Sequence, residues 1–430
     1  MLKTNKKNIK TMLEDDGAIY FYGICEIAEF SLIGMNLLGA KINGIFDSSI
    51  ELSNNKTYNS NIALTNNKKF KDIPILGTSE LSHIDKSSHI IITCSHFIII
   101  ERYLNTLGFH NVYDHCFLIE RVINEKILKG NYNEKNKQGN FRIDAKRFLA
   151  QSQEKVKHAT RQFDGKIVIT SIDVIVTEKC SLACADCANL MPYFKEPKNV
   201  DFEVICSSLE KISSVCDSIL ELRILGGEPF IVKDIDRIIN YCTGKIKVAD
   251  RVVIYSNATI LPRPNAIKAM KHKNVFVEIT DYGKLSRALD KTKALYDQEG
   301  ILYQVEQLPD SWDDSADIIQ PHRSIEENQY IFDSCCAKYL YTLMHGKLYR
   351  CPFSASLNYV DPNLGNAHDY VDCMLDDESL KMRLESFIYS PRYVPSCAFC
   401  KGRSTQLGRT KAARQVKKKR VPFEFILDYV

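Results

Sequence analysis

The chain has 430 residues, 45% of them apolar and 26% charged, the balance of a soluble protein with a well-buried core; at roughly 100 to 200 residues per domain, two or three domains are expected. A formal net charge of only +4 gives no reason to expect a polyanionic partner such as nucleic acid. The polar start, Met-Leu-Lys-Thr-Asn-Lys-Lys, has no signal-peptide core, and the most apolar stretch, Ile90 to Ile100, is broken by Ser95 and His96 and falls short of the ~20 residues that cross a bilayer, so a cytoplasmic protein with no membrane partner is expected.

In chain order, Ala18 to Gly23 reads as a short apolar strand, Glu26 to Leu38 as a helix, and Ile42 to Phe46 as a strand ending in Asp47, which is a βαβ opening. After a loop rich in Asn and Lys (54–71), Ile90 to Thr93 is a further strand and Ile98 to Leu107 a helix before Gly108. Residues 1–128 are therefore read as a Rossmann-like domain. The stretch resembles the nucleotide-binding-type domains appended to many enzymes of surface-polysaccharide assembly. Gly23 is followed by Ile24, Cys25 and Glu26, where a dinucleotide binder places further glycines so that its backbone can approach a pyrophosphate. A nucleotide site and a docking or scaffold domain both stay open.

Residues 129–165, beginning with a polar run from Lys129 to Gly139, suit a linker. From Ile167 to Val176 the chain is apolar and β-branched, a buried strand. Strands and helices then alternate: helix Phe202–Leu220, strand Leu222–Leu225, helix Ile235–Cys242, strand Arg251–Tyr255, helix Asn265–Lys271, strand Val275–Ile279, helix Leu285–Gln298, strand Leu302–Gln307. This predicts an α/β fold in which a parallel sheet curls into a full or partial barrel over 166–330, with the active site at the carboxyl ends of its strands.

Fifteen cysteines are clustered rather than spaced as a disulfide scaffold, which in a reducing compartment points to metal or redox chemistry. Directly after the first barrel strand stand Cys180, Cys184 and Cys187, spaced by three and two residues. Three thiolates on one loop can hold three irons of a four-iron cube and leave the fourth iron open to a ligand; structural zinc wants four closed ligands. At the end of the next strand lies Gly226-Gly227-Glu228-Pro229, whose glycines let carbonyls approach an ammonium while Glu228 anchors either the turn or the amine. Ser256 and Asn257 close the third strand, and Thr280-Asp281-Tyr282-Gly283 closes the fourth; such polar residues also simply cap strands.

The CxxxCxxC loop together with the Gly-Gly-Glu-Pro turn one helix later resembles the radical S-adenosylmethionine (radical SAM) superfamily. The resemblance implies a partial (β/α)6 barrel and a [4Fe-4S] cluster held by Cys180, Cys184 and Cys187. It also implies that SAM is bound by Gly226, Gly227 and Glu228 with Ser256 and Asn257. One position departs from the pattern: Asp186 stands where the family usually has an aromatic residue, which removes the usual packing against the adenine.

Near the carboxyl end come Cys335, Cys336, Gly346, Cys351, Cys397 and Cys400. A cysteine, nine or ten residues, a glycine, four residues and a cysteine resembles the twitch or SPASM extensions of that superfamily, small α+β domains with an auxiliary [4Fe-4S] cluster, here over 331–405. Leu348-Tyr349-Arg350 reads as a hairpin strand with Gly346 in the turn. Either Cys335 or Cys336 completes the set, and a closed zinc knuckle is the competing reading. The basic run at Arg409 to Arg420, with Lys411, Arg414, Lys417, Lys418 and Lys419, falls in a tail (406–430) expected to be a solvated face.

The resemblance implies a 5′-deoxyadenosyl radical, an electron donor such as flavodoxin or ferredoxin, and a small-molecule substrate. A carbohydrate or sugar nucleotide is preferred because of the Rossmann-like domain; a ribosomally made peptide and a non-catalytic, zinc-stabilised binding protein are the other readings.

Overall fold

The computed structural model describes residues 12–24, 26–47, 69–94, 97–124, 166–308, 311–333, 335–389, 392–403 and 408–422. The expected linker (129–165) and most of the Asn- and Lys-rich loop lie outside the described residues. The chain divides into two compact units, 1–166 and 167–430, and no helix among the described residues is long and apolar enough to cross a membrane.

The first unit is a six-stranded sheet of β1 (Ile19–Tyr22), β2 (Gly44–Phe46), β3 (Lys69–Phe70), β4 (Ile73–Leu76), β5 (His89–Ile92) and β6 (Val112–Asp114), in the order β3-β4-β2-β1-β5-β6. All neighbours are parallel except β3 with β4, a doubly wound arrangement whose order reverses between β1 and β5. Side chains alternate along each strand. Phe21, Ile45 and Ile91 pack with α1 (Glu26–Leu37) on one face, while Tyr22, Phe46, Ile90 and Ile92 share the other with Leu104 of α2 (Phe97–Thr106). Helix α3 (Cys116–Asn124) joins α1 through Leu118. At the reversal point Gly23 has φ +102°, and a Cβ there would stand 2.8 Å from the Cβ of Cys94. The Gly23 amide donates to Phe46 O at 2.8 Å and the Ile24 amide to Asp47 Oδ2 at 2.9 Å, so both amides are already engaged where a dinucleotide's phosphates would need donors.

The second unit is α/β. Strands β7 (Val168–Thr177), β8 (Ser218–Gly226), β9 (Ala249–Ser256), β10 (Val275–Asp281) and β11 (Tyr303–Gln307) run parallel in sequence order. Two-residue periodicity sorts their side chains into rows. Ile172, Leu222 and Val252, with Val174, Ile224 and Ile254, join the apolar core, which takes up α4 (Phe202–Val215), α5 (Ile235–Gly244) and α6 (Pro264–Met270). The opposite row carries Asp173, Glu221, Arg223, Arg251 and Tyr255.

Two helix limits differ from the sequence expectation. Helix α4, capped by the Asp201 carboxylate on the Glu203 and Val204 amides, ends at Val215 rather than Leu220, because Ser218 and Ile219 pair with Val168 and Ile169 of β7. Helix α7 (Leu289–Glu299) starts later than Leu285, since Ser286 Oγ donates to Asn257 O at 2.7 Å and holds the chain in a turn.

Past β11 and β12 (Ser311–Asp313) comes α8 (Ile325–Asp333), followed by β13 (Tyr341–Met344). β13 pairs in parallel with the free side of β7 and makes a sixth parallel strand; β14 (Lys347–Tyr349) and β15 (Tyr370–Asp372) extend the same sheet antiparallel. Between β13 and β14, His345 and Gly346 both have positive φ, +46° and +82°, as a two-residue hairpin turn requires. Helices α9 (Pro352–Val360) and α10 (Asp377–Tyr389) cover this end. The basic run is not a free tail, since β16 (Arg409–Lys411) pairs with β12 and the residues after it lie along the first cysteine loop, but Lys411, Arg414, Lys417 and Lys418 are exposed as a solvated face requires and Lys419 is half-buried.

Candidate active site

The loop leaving β7 and the turn leaving β8 are fastened backbone to backbone. The Gly227 amide donates to Thr177 O and the Glu228 amide to Lys179 O, each at 2.9 Å. A Cβ on Gly226 would lie 2.2 Å from Thr177 O, and one on Gly227 would lie 2.0 Å from Lys179 O, so no side chain fits at either position. Glu228 is fully buried; its oxygens accept from Asn257 N at 2.9 Å, Ser256 Oγ at 3.0 Å and Phe230 N at 3.2 Å. Of the two roles open to it, anchoring the turn is what the geometry gives: Glu228 ties the end of β8 to the end of β9 and is not among the residues that line the cavity above them. Burial pushes its carboxyl up to about 7 against those three donors.

That cavity, of about 470 Å³, lies at the carboxyl ends of the strands. Cys180, Cys184, Cys187, Gly226, Gly227, Ser256 and Asn257 all line it. Burial raises Cys180 to about 12 and Cys184 to about 11, and raises Cys187 as well. The thiols also disfavour one another's anionic forms, as expected of a group that needs a cation to ionise. The three sulfurs do not all lie within 4.8 Å of one another. Asn189 donates its Nδ2 to Gly226 O at 3.3 Å, while its buried Oδ1 has no hydrogen-bond partner and lines the cavity; it would accept from a ligand's ammonium or hydroxyl. Tyr282 and Trp312 meet edge to face at 6.1 Å on the cavity wall.

The carboxyl-terminal segment secures the cysteine loop. Ala185 N donates to Arg414 O and Val416 N to Ala183 O, each at 2.8 Å; Gln415 Oε1 accepts from Ala183 N at 2.8 Å and its Nε2 donates to Cys184 Sγ at 3.2 Å. Asp186, in the position expected to be aromatic, is buried and accepts from Thr410 Oγ1 at 3.1 Å. It groups with Asp314 and Asp317, whose charge is met by Lys401 at 2.7 and 2.9 Å and by Lys419.

The second cysteine group lies elsewhere in the same unit. Cys335, Cys351, Cys397 and Cys400 line a cavity of about 30 Å³ together with Lys338 and Arg350. Cys336 is not with them: it is exposed and lines the larger cavity, so of the two adjacent candidates Cys335 is the one placed to complete a four-thiol set. Burial pushes Cys397 to about 12 and Cys400 to about 11, and holds Cys351 well above its ordinary value. Backbone amides already point at two of the sulfurs, Ser354 N to Cys351 at 3.4 Å and Gly402 N to Cys400 at 3.2 Å.

Sequence reasoning missed the polar row beneath the cysteines. Asp173, Arg223 and Tyr255 line the lower wall of the larger cavity, one from each of β7, β8 and β9. Their signal was polar residues at alternate positions of otherwise apolar strands: Ser171 and Asp173 on β7, Glu221 and Arg223 on β8, Arg251 and Tyr255 on β9.

No protein-family profile and no curated protein matches the chain. Among solved structures it is similar to BtrN in complex with AdoMet and 2-DOIA, at 18% identity over 58% of this chain and 100% of that one, with a TM-score of 0.36. It is also similar to Streptococcus suis SuiB bound to S-adenosylmethionine, at 16% identity, 54% and 52% coverage and a TM-score of 0.28. Native anSMEcpe with bound AdoMet and Kp18Cys peptide overlaps at 9% identity, 57% and 93% coverage and a TM-score of 0.36.

Proposed function

We propose that this protein is a radical SAM enzyme that modifies a carbohydrate or sugar-nucleotide substrate by dehydrogenation, epimerisation or a related rearrangement. The observation that carries the reading is the convergence of Cys180, Cys184 and Cys187 with the Gly226-Gly227 turn on one cavity at the carboxyl ends of parallel strands. Cys180, Cys184 and Cys187 would hold a [4Fe-4S] cluster, three thiols leaving one iron without a protein ligand. Such a cluster would supply the one electron for reductive cleavage of SAM, the source of the 5′-deoxyadenosyl radical that would take a hydrogen atom from the substrate.

The chain's own residues hold and orient. Asn189 Oδ1 and the carbonyls of the glycine turn offer acceptors to the methionyl ammonium, and Tyr282 and Trp312 present aromatic faces for a purine in place of the residue that Asp186 replaces. Glu228 keeps the turn and the end of β9 in register, so the cofactor meets a preformed wall. Cys335, Cys351, Cys397 and Cys400, which line one small cavity, would hold an auxiliary [4Fe-4S] cluster. Electrons would come from a small carrier such as flavodoxin or ferredoxin.

Anaerobic reconstitution followed by iron, sulfide and zinc analysis tests the assignment. Two four-iron clusters per chain are expected, with an electron paramagnetic resonance spectrum that changes when SAM is added. A colourless protein carrying zinc in both cysteine groups would leave a binding protein and no radical chemistry.

A further inference from the structure

The polar row below the cysteines has a gap in it. Arg223 is fixed from behind: its Nε donates to Glu221 Oε2 at 2.7 Å, and the other oxygen of Glu221 is ion-paired with Arg251. In front, Arg223 Nη1 stands 3.9 Å from Asp173 Oδ1, too far for a hydrogen bond. Asp173 is only 5% exposed and its Oδ1 has no hydrogen-bond partner, an unfavourable state that a ligand hydroxyl would relieve. Tyr255 stands beside the guanidinium, its ring centroid 5.9 Å away. The three residues share the cavity with the cysteine loop.

A hydroxyl group both donates and accepts. Seated in the gap, it accepts from Arg223 and donates to Asp173, and a neighbouring hydroxyl reaches Tyr255. Above about pH 7, where Asp173 is ionised, the four charged groups of the row, Asp173, Glu221, Arg223 and Arg251, balance one another. A ligand carboxylate brings negative charge against Asp173 and Glu221, and an ammonium brings positive charge against Arg223 and Arg251; either is disfavoured in this buried setting. We propose that Asp173, Arg223 and Tyr255 form the substrate subsite of this cavity and select a neutral, polyhydroxylated ring over its acidic and amino analogues. The inference rests on the reading of the cavity as a substrate chamber and adds the specificity-determining residues to it.

The test uses three probes with one carbon skeleton and different charge, D-glucose, D-gluconate and D-glucosamine, titrated by saturation-transfer-difference NMR into the reconstituted full chain with SAM. The wild type is expected to bind glucose at least about tenfold more tightly than either charged probe. Arg223→Met, which leaves Glu221 paired with Arg251, is expected to weaken glucose about tenfold and move the preference to glucosamine; the isosteric Asp173→Asn is expected to move it to gluconate. Thermal melts report folding, and if Arg223→Met does not fold, the Asp173→Asn selectivity decides. A wild type without preference for the neutral sugar, or folded variants with unchanged selectivity, overturns the subsite. Formation of 5′-deoxyadenosine is recorded on the same wild-type samples. SAM cleavage without charge selectivity keeps the enzyme reading and overturns the subsite, and selectivity without cleavage does the reverse.

Discussion

Glu228 supports the site from outside its cavity, tying the end of β8 to the end of β9. Burial holds its carboxyl at about 7, above the ordinary 4.5, so the folded state binds a proton that the unfolded chain releases between those values. Stability contributed by the protonated group is therefore complete below about pH 4.5 and falls as pH rises through 7, by an amount of order 3 kcal/mol. Asp173, raised by burial to about 7 from 3.8, acts in the same direction. Urea unfolding from pH 4.5 to 8 should show this decline, and Glu228→Gln, which carries no charge at any of these values, should flatten it; an unchanged slope would mean that Glu228 is solvated. At Gly227 the constraint is steric. Alanine there must displace Lys179 O from a 2.0 Å contact, with an expected loss of about 2–3 kcal/mol and a visible drop in iron retained by the first loop. The cysteines, the glycine pair and Glu228 were legible in the sequence because each belongs to a short local pattern. Asp173, Arg223 and Tyr255 were not, since they come from three strands and meet only through the register that places Asp173 opposite Arg223.

The last strand carries a second lesson of this kind. Lys411, Arg414, Lys417 and Lys418 are exposed as the composition of a solvated run requires, yet β16 pairs with β12, and Gln415, between Arg414 and Val416, reaches Cys184. Nothing local announces it, because the partners lie more than 200 residues away in the chain. Donation from Gln415 Nε2 to a ligating sulfur stabilises the more negative, reduced cluster, so Gln415→Leu is expected to shift the first cluster's reduction potential to a more negative value in an anaerobic redox titration while leaving the second cluster's unchanged. Equal potentials in the two proteins would remove Gln415 from that role. The adjacent pair at the end of α8 is separable by the same means: Cys335→Ser should cost about half of the bound iron, and Cys336→Ser should leave the iron content intact, as its exposed place on the other cavity requires. The two helix limits misplaced from the sequence, at Val215 and Leu289, moved for non-local reasons as well, one through pairing with β7 and the other through the Ser286 bond to Asn257.

The α/β alternation was plain in the sequence because buried parallel strands are apolar runs between amphipathic helices. The sixth parallel strand was hidden, since β13 follows two intervening elements and joins the sheet beside β7, its neighbour in space but not in sequence. The first unit has a doubly wound order in which Asp47 takes the Ile24 amide beside the point of reversal. In the second unit, the sheet brings to one cavity the cysteine loop that follows β7, the glycine turn that ends β8 and a polar row drawn from β7, β8 and β9. The claim that joins them is radical cleavage of SAM at Cys180, Cys184 and Cys187. Its most direct measurement is chromatographic quantification of 5′-deoxyadenosine after anaerobic incubation of the reconstituted protein with SAM and a strong reductant. The expected result is time-dependent formation by the wild type and none by Cys184→Ala; equal formation by the variant, or none by an iron-loaded wild type, would contradict it.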